Sequence, residues 1–354
     1  MKIIITICIL FISGIFLQAR IITVDNKYPS MGDYTNLHDA HNAANNGDTL
    51  YFYPSTVAYQ ADTISKRLTI IGTGWDIVKT QGVSALIYGT IVFTNGSDGS
   101  KFEGFVGYIA GNDYNNTNIG MPFHIVIDAD NIEIRKNYLK LIIVKDGHIG
   151  NVISQNIIID KSRYFWTYTL ITVEENNEIF IHNNILWIPV FSFPIYPGGG
   201  CIGANTSNIT IVISHNLLRS PFGGSSCCFT LGGSNYLVEN NIIFDGRINV
   251  PLSSNIRNNI SNSNQLQNLY GNIINVNMYD VFIDPENEDF HLKPNSPAKG
   301  TGKNGVDMGI YGGSTPFVDG GYPGIPSIIE LDADHLGSKQ SGLKVKIKAK
   351  SNKD

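Results

Sequence analysis

Between Ile132 and Ile274 the chain alternates aliphatic and polar residues in short runs, and each run leads into an Asn followed by further aliphatics. The run Ile132-Glu133-Ile134-Arg135-Lys136-Asn137-Tyr138-Leu139 is echoed by Val152-Ile153-Ser154-Gln155-Asn156-Ile157-Ile158 and by Ile179-Phe180-Ile181-His182-Asn183-Asn184-Ile185-Leu186. Further copies are Ile211-Val212-Ile213-Ser214-His215-Asn216-Leu217-Leu218, Leu237-Val238-Glu239-Asn240-Asn241-Ile242-Ile243 and Asn255-Ile256-Arg257-Asn258-Asn259-Ile260, with a weaker echo at Asn272-Ile273-Ile274. Period-two alternation predicts strands. The marker residues Asn137, Asn156, Asn184, Asn216, Asn241 and Asn259 fall 19, 28, 32, 25 and 18 residues apart, which suits one turn of a solenoid and leaves no room for crossover helices. One coil cannot bury its apolar face alone, so coils should stack at ~4.8 Å into a continuous core. Asn is expected to supply both a left-handed turn and a coil-to-coil amide ladder. An antiparallel sandwich also has many short strands, but it would show hairpin turns and no Asn at one fixed place in the motif.

The segment from Tyr34 to Tyr51 reads as a helix followed by a strand, with Leu37, Ala40 and Ala44 on one helical face and Gly47 as the expected C-terminal cap. With Leu68-Thr69-Ile70-Ile71-Gly72-Thr73-Gly74, and with the closing stretches Asp289 to Ala298 and Gly305-Val306-Asp307-Met308-Gly309, it resembles bacterial proteins of the pectin-lyase-like superfamily over residues 22 to 325. That resemblance implies an all-β fold, a single-stranded right-handed parallel β-helix with an N-terminal cap helix. It also implies that the Asn turn joins the second and third strands of each coil. The long third turns would then be 160–167, 189–200, 219–226 and 245–247, and in related polysaccharide lyases such turns and the following first strand form the substrate groove. The implied organisation is a signal peptide at 1–19, the β-helix at 20–325, and C-terminal strands at 326–354 that serve as a cap or a tail. In this last piece Ile328 to Leu331 and Leu343 to Lys350 read as strands, the second with Lys at every other position, a pattern that protects an edge.

Composition narrows the function. With 42% hydrophobic and 16% charged residues the chain can bury a large core, and a net charge of -5 provides no broad basic field for nucleic acid or an anionic membrane. Lys2, the apolar run Ile3 to Leu17 and the small Ala19 read as a cleaved secretory signal. The run is short of the ~20 residues a membrane span needs. The expected protein is therefore secreted, periplasmic or cell-surface, not inserted in a membrane, and monomeric. Beyond the signal, Cys201, Cys227 and Cys228 are too few for a disulfide scaffold, and adjacent Cys227 and Cys228 lack zinc-ligand spacing. Cys201 and Cys228 each lie seven residues before an Asn, Asn208 and Asn235, which predicts one shared strand position in adjacent coils and Cβ atoms within about 6 Å, with a bridge left open.

The predicted third turns concentrate aromatic and basic residues. Lys161, Arg163, Trp166, Tyr168, Tyr196, Arg219 and Arg247 are the candidate glycan-binding set, because aromatic faces stack on sugar rings and guanidinium groups hold carboxylates bidentately. Arg163, Arg219 and Arg247 should project from one side of the solenoid. The same residues also suit packing of long turns against the coil body, and Trp187, which follows Ile185 and Leu186, is expected in the core. The Asn-Thr-Asp triplet and Asp-Asp pair of polygalacturonases are absent, and Asp146-Gly147-His148-Ile149-Gly150 reads as a turn. Asp128 and Asp130 have the oxygen donors that Ca2+ takes but also sit where a polar turn is expected; no other cofactor is called for. Two functions stand: a non-catalytic polysaccharide binder, favoured because no catalytic constellation is matched, and a polysaccharide lyase or hydrolase acting on acidic glycans.

Overall fold

The computed structural model describes residues 19–75, 84–107, 123–160, 169–188, 200–204, 208–220, 227–232, 235–250, 255–334, 336–340 and 342–350. The chain winds into a right-handed parallel β-helix with three faces. Sheet A has ten strands, from Ile21–Val24 to Ile256–Arg257; sheet B has nine, from Ser55–Gln60 to Ile260–Ser261; sheet C has eight, from Thr63–Ile64 to Arg247–Asn249. Strands pair in parallel throughout all three, as alternation without hairpin turns requires. Inward positions such as Ile134, Ile153, Ile181 and Ile213 of sheet A are fully buried, and they join Leu186 and Leu218 of sheet B and Ile142 and Ile171 of sheet C in one core.

The Asn motif lies between sheets A and B, and it divides two jobs between two residues. Asn137, Asn156, Asn184, Asn216, Asn241, Asn259 and Asn272 form a buried ladder in which each Oδ1 after the first accepts from the preceding Asn, from its Nδ2 at 3.0–3.2 Å and its backbone N–H at 2.9–3.0 Å, while Asn137 Oδ1 accepts from Phe105 N (3.0 Å). The left-handed conformation belongs instead to the residue before each marker: Lys136, Gln155, Asn183, His215, Asn240 and Asn258 all have φ between 51 and 60°. The expectation that the marker Asn makes the turn is thus corrected. The ladder Asn is selected for its amide, and its predecessor for tolerating positive φ.

The predecessors also aim outward and hold a strap. Residues 276–322 run back over sheet B, from the last coil towards the first. Lys303 N donates to Asn240 Oδ1 (2.8 Å), Asn183 Nδ2 to Ile310 O (2.8 Å), Gln155 Nε2 to Pro316 O (2.6 Å), and Trp75 N to Gly320 O (2.7 Å). Under the strap a second apolar cluster joins Phe282, Phe290, Met308, Ile310 and Phe317 to the outward residues Ile185, Leu217, Ile242 and Phe244 of sheet B. Trp187 packs here too, edge-on to Phe290, outside the coil core.

Both ends of the coil stack are covered. Helix α1 (Leu37–Ala43) begins at Asn36, whose side chain accepts from Asp39 N, and it buries Leu37 and Ala40 in the main core. It ends at Ala44, three residues before the expected glycine, because Lys66 Nζ donates to the carbonyls of His41, Asn42 and Ala44; Gly47 takes φ 94° in the next turn. At the other end Leu266 enters the core and Ile273 bridges to Ile260. Helix α2 (Met278–Val281) and the antiparallel pair Phe282–Asp284 and Asp289–Leu292 then open the strap. The last strands, Ser327–Ala333 and Val345–Lys350, pair antiparallel with each other and with no other described strand.

Cys201 sits opposite Cys228 in sheet C, since Gly200 pairs with Cys227 and Ile202 with Phe229. Both are fully buried thiols that approach main-chain carbonyls, Cys201 Sγ that of Leu186 (3.6 Å) and Cys228 Sγ that of Asp245 (2.9 Å). The spacing argument reached this pairing although its landmarks are not equivalent: Asn235 pairs with Thr210 rather than lying level with Asn208.

Candidate functional site: the outer face of sheet C

Sheet B strands end at Ile159, Trp187 and Arg219, and the sheet C strands that follow them begin at Thr169, Gly200 and Cys227. Most of the expected third turns, with Lys161, Arg163, Trp166, Tyr168 and Tyr196, lie outside the described residues, and Gly200, Arg219 and Arg247, expected in those turns, belong to strands. Arg219 and Arg247 do not form one row. Arg219 ends a sheet B strand, and its guanidinium lies 5.0 Å from the Trp187 ring and 4.4 Å from the Phe244 ring and donates to Pro285 O (3.1 Å), so the strap occupies it. Arg247 opens an exposed sheet C strand.

Alternation turns every second residue of a sheet C strand outward, and register aligns one row of them along the sheet. Val92, Val126, Ile143, Thr172, Gly203, Thr230 and Asn249 make a continuous row across seven strands, every member partly or fully exposed and none charged. Six strand spacings give this lane a length of ~29 Å.

Each edge of the lane holds a histidine. At the edge towards sheet B His124 adjoins Lys140 and Asp160. Asp160 is buried and takes the Lys140 ammonium at 3.4 Å. Burial, with the Lys140 charge adding to it and Asp160 opposing, pushes His124 down to about 4, and its buried Nε2 has no hydrogen-bond partner among the described residues. At the opposite edge His148 is held through both ring nitrogens, Nε2 to Asp128 and Nδ1 to Asp130, each at 3.0 Å. Burial lowers His148, but hydrogen bonds and charge from the two carboxylates outweigh it and raise its pKa. Asp128 and Asp130 are thus a histidine clamp, and among the described residues no group of three His, Cys, Asp or Glu side chains is arranged to hold a metal ion. Beside the clamp Lys145 Nζ donates to Glu174 Oε1 (2.7 Å), and Asn176 Nδ2 to Asp146 Oδ1 (2.9 Å).

Sequence reasoning missed His124, Lys140 and Asp160. Lys140 and Asp160 stand three and four positions beyond a marker Asn, but so do Arg219 and Asp245, and His124 follows no marker, so spacing alone does not single the three out. No protein-family model matches the chain and no curated protein matches its sequence, so the role of this face rests on its geometry.

Proposed function

We propose that this is a secreted or cell-surface protein that binds an extended polysaccharide along the sheet C lane without cleaving it. The uncharged lane carries the reading. Its methyl groups suit the C–H faces of sugar rings, and Thr172, Thr230 and Asn249 offer hydroxyl and amide partners at the strand repeat. Sheet B is covered by the strap, whereas no layer of described residues lies over the sheet C row. The resemblance to the pectin-lyase-like superfamily supports the same face. The test is a binding screen against neutral and uronate polysaccharides with the double variant Thr172→Glu and Thr230→Glu, which places hydrated charges in the lane. Affinity should fall at least tenfold, about 1.4 kcal/mol, while Thr210→Glu on sheet A keeps parent affinity. Parent-like binding by the double variant, or a parent that binds no polysaccharide, removes the reading.

A second reading has its own support. His124 is neutral near pH 7 and stands near a cation, Lys140, and β-elimination needs a base beside a uronate carboxylate and positive charge for the developing enolate. Ultraviolet absorbance from unsaturated ends, lost in His124→Ala, would establish cleavage of an acidic glycan; its absence on every uronate polymer would leave binding alone.

A further inference from the structure

The terminal hairpin and the outer face of sheet A are both unfinished. In Leu343 to Ala349 apolar and Lys residues alternate, so the pleat puts Leu343, Val345, Ile347 and Ala349 on one face and Lys344, Lys346 and Lys348 on the other. The cross-strand register sets Lys346 opposite Asp332, so the polar face has a charge partner in place. The apolar face has no such cover: Leu343, Val345 and Ile347 are 53%, 49% and 57% exposed. A two-stranded ribbon with a bare apolar face is marginal in water and gains stability by packing on a second layer.

Sheet A carries a matching surface. Val152, Phe180, Val212 and Leu237 are paired neighbours in one outward row, with Phe180 37% exposed. The row is apolar over four strands, ~14 Å, and the six-residue strand Val345–Lys350 spans ~20 Å, enough to cover it. It stops at Glu133, which pairs in register with Val152 and meets Lys101 at 2.9 Å.

The strap delivers the hairpin to this place. Its last anchors are Gly320, which accepts from Trp75 N, and Gly321, packed against Trp75 and the carbonyl of Lys136. Lys136 follows the sheet A strand next to the one that bears Val152. From Gly321 to Ser327 six residues reach ~20 Å, and the first residue of the stripe lies one ~4.8 Å spacing from the anchoring coil.

We propose that the hairpin is a latch that lays its apolar face on this stripe of its own chain, with Ile347 over Phe180, giving sheet A a second layer as the strap gives one to sheet B. A second copy of the chain is the competing occupant, and the tether favours the intramolecular contact by effective concentration. Full-length protein carrying Phe180→Cys and Ile347→Cys, oxidised mildly at low protein concentration, should form a bond within one chain, seen by mass spectrometry and as a faster non-reduced monomer band, which neither single variant shows. A bond between two chains hands the surface to a second copy and overturns the latch; no bond overturns it as well. A cycle of Phe180→Ser and Ile347→Ser in the full chain checks the result without cysteines. Each change alone should lower Tm, and the double variant should fall by less than the sum; additive shifts count against the contact.

Discussion

Sheets B and C are neighbouring faces of one coil and are built from the same repeat, yet one is sealed and the other open. On sheet B the outward residues Ile185, Leu217, Ile242 and Phe244 are large and apolar and lie under Phe290 and Met308 of the strap. On sheet C the outward row is Val, Ile, Thr, Gly and Asn, partly or fully exposed and with no layer of described residues over it. Arginine shows the consequence most clearly. Arg219 and Arg247 look alike in sequence, as cations near long turns, but Arg219 closes a sheet B strand and its charge is spent on Trp187, Phe244 and a strap carbonyl. Residue type near a turn does not identify a ligand site on a solenoid; the face it leaves from does.

The largest effect expected from this contrast is on stability. Phe290→Ala empties the cluster between strap and sheet B and should cost about 3–5 kcal/mol in chemical denaturation. Ile143→Ala, which removes atoms from the half-exposed lane, should cost under about 1 kcal/mol. Equal costs would mean that the strap merely rests on sheet B. Arg219→Met comes next. It keeps a stem between the two rings but loses the bond to Pro285 O, for about 1.5–3 kcal/mol. It should leave polysaccharide binding at the parent value, because Arg219 is outside the lane; a weakened complex with intact stability would return Arg219 to the site.

Much of the coil was legible because its cause is local and repeated. A doublet such as Asn183-Asn184 or Asn240-Asn241 records two adjacent demands, positive φ at the first residue and a stacking amide at the second, and a period-two run records which side faces the core. The division of labour within the doublet was not legible, since Asn serves either role; Lys136 and His215 in the first position reveal it. Phe290 and Met308 could be recognised as part of a closing segment, but nothing in their spacing says that they lie on Ile242 and Phe244 of a distant coil face. His124, Lys140 and Asp160 come from separate coils and meet where sheet B gives way to sheet C, and nothing in their sequence spacing says that these three share a corner. Charge counting also pointed to arginine for the groove, where the described part of sheet C presents an uncharged lane.

The smallest effect, and the one that most sharpens the picture of sheet C, is pH dependence with opposite signs at its two edges. His124 is held below its ordinary value of about 6.5, so as pH falls from there towards about 4 the unfolded chain takes a proton that the folded chain refuses, and stability drops through that window. His124→Gln should flatten that loss. His148 is raised, so its contribution is fully present below the unfolded pKa and disappears as pH rises through the higher folded value. His148→Gln should therefore cost most near pH 5–6 and progressively less above pH 7, as the neutral imidazole in the parent can donate through only one nitrogen and so serves only one of the two aspartates. His41, His182 and His215 are also depressed by burial and steepen the acid limb of every variant alike, so the measurement is the difference from the parent at each pH rather than the curve itself. If both substitutions give differences of the same sign across pH 4–8, the two edges are not electrostatically distinct. Opposite signs would mark one edge of the lane as holding an uncharged base and the other a charge-balanced clamp, and a ligand proton could then be accepted only at the edge towards sheet B.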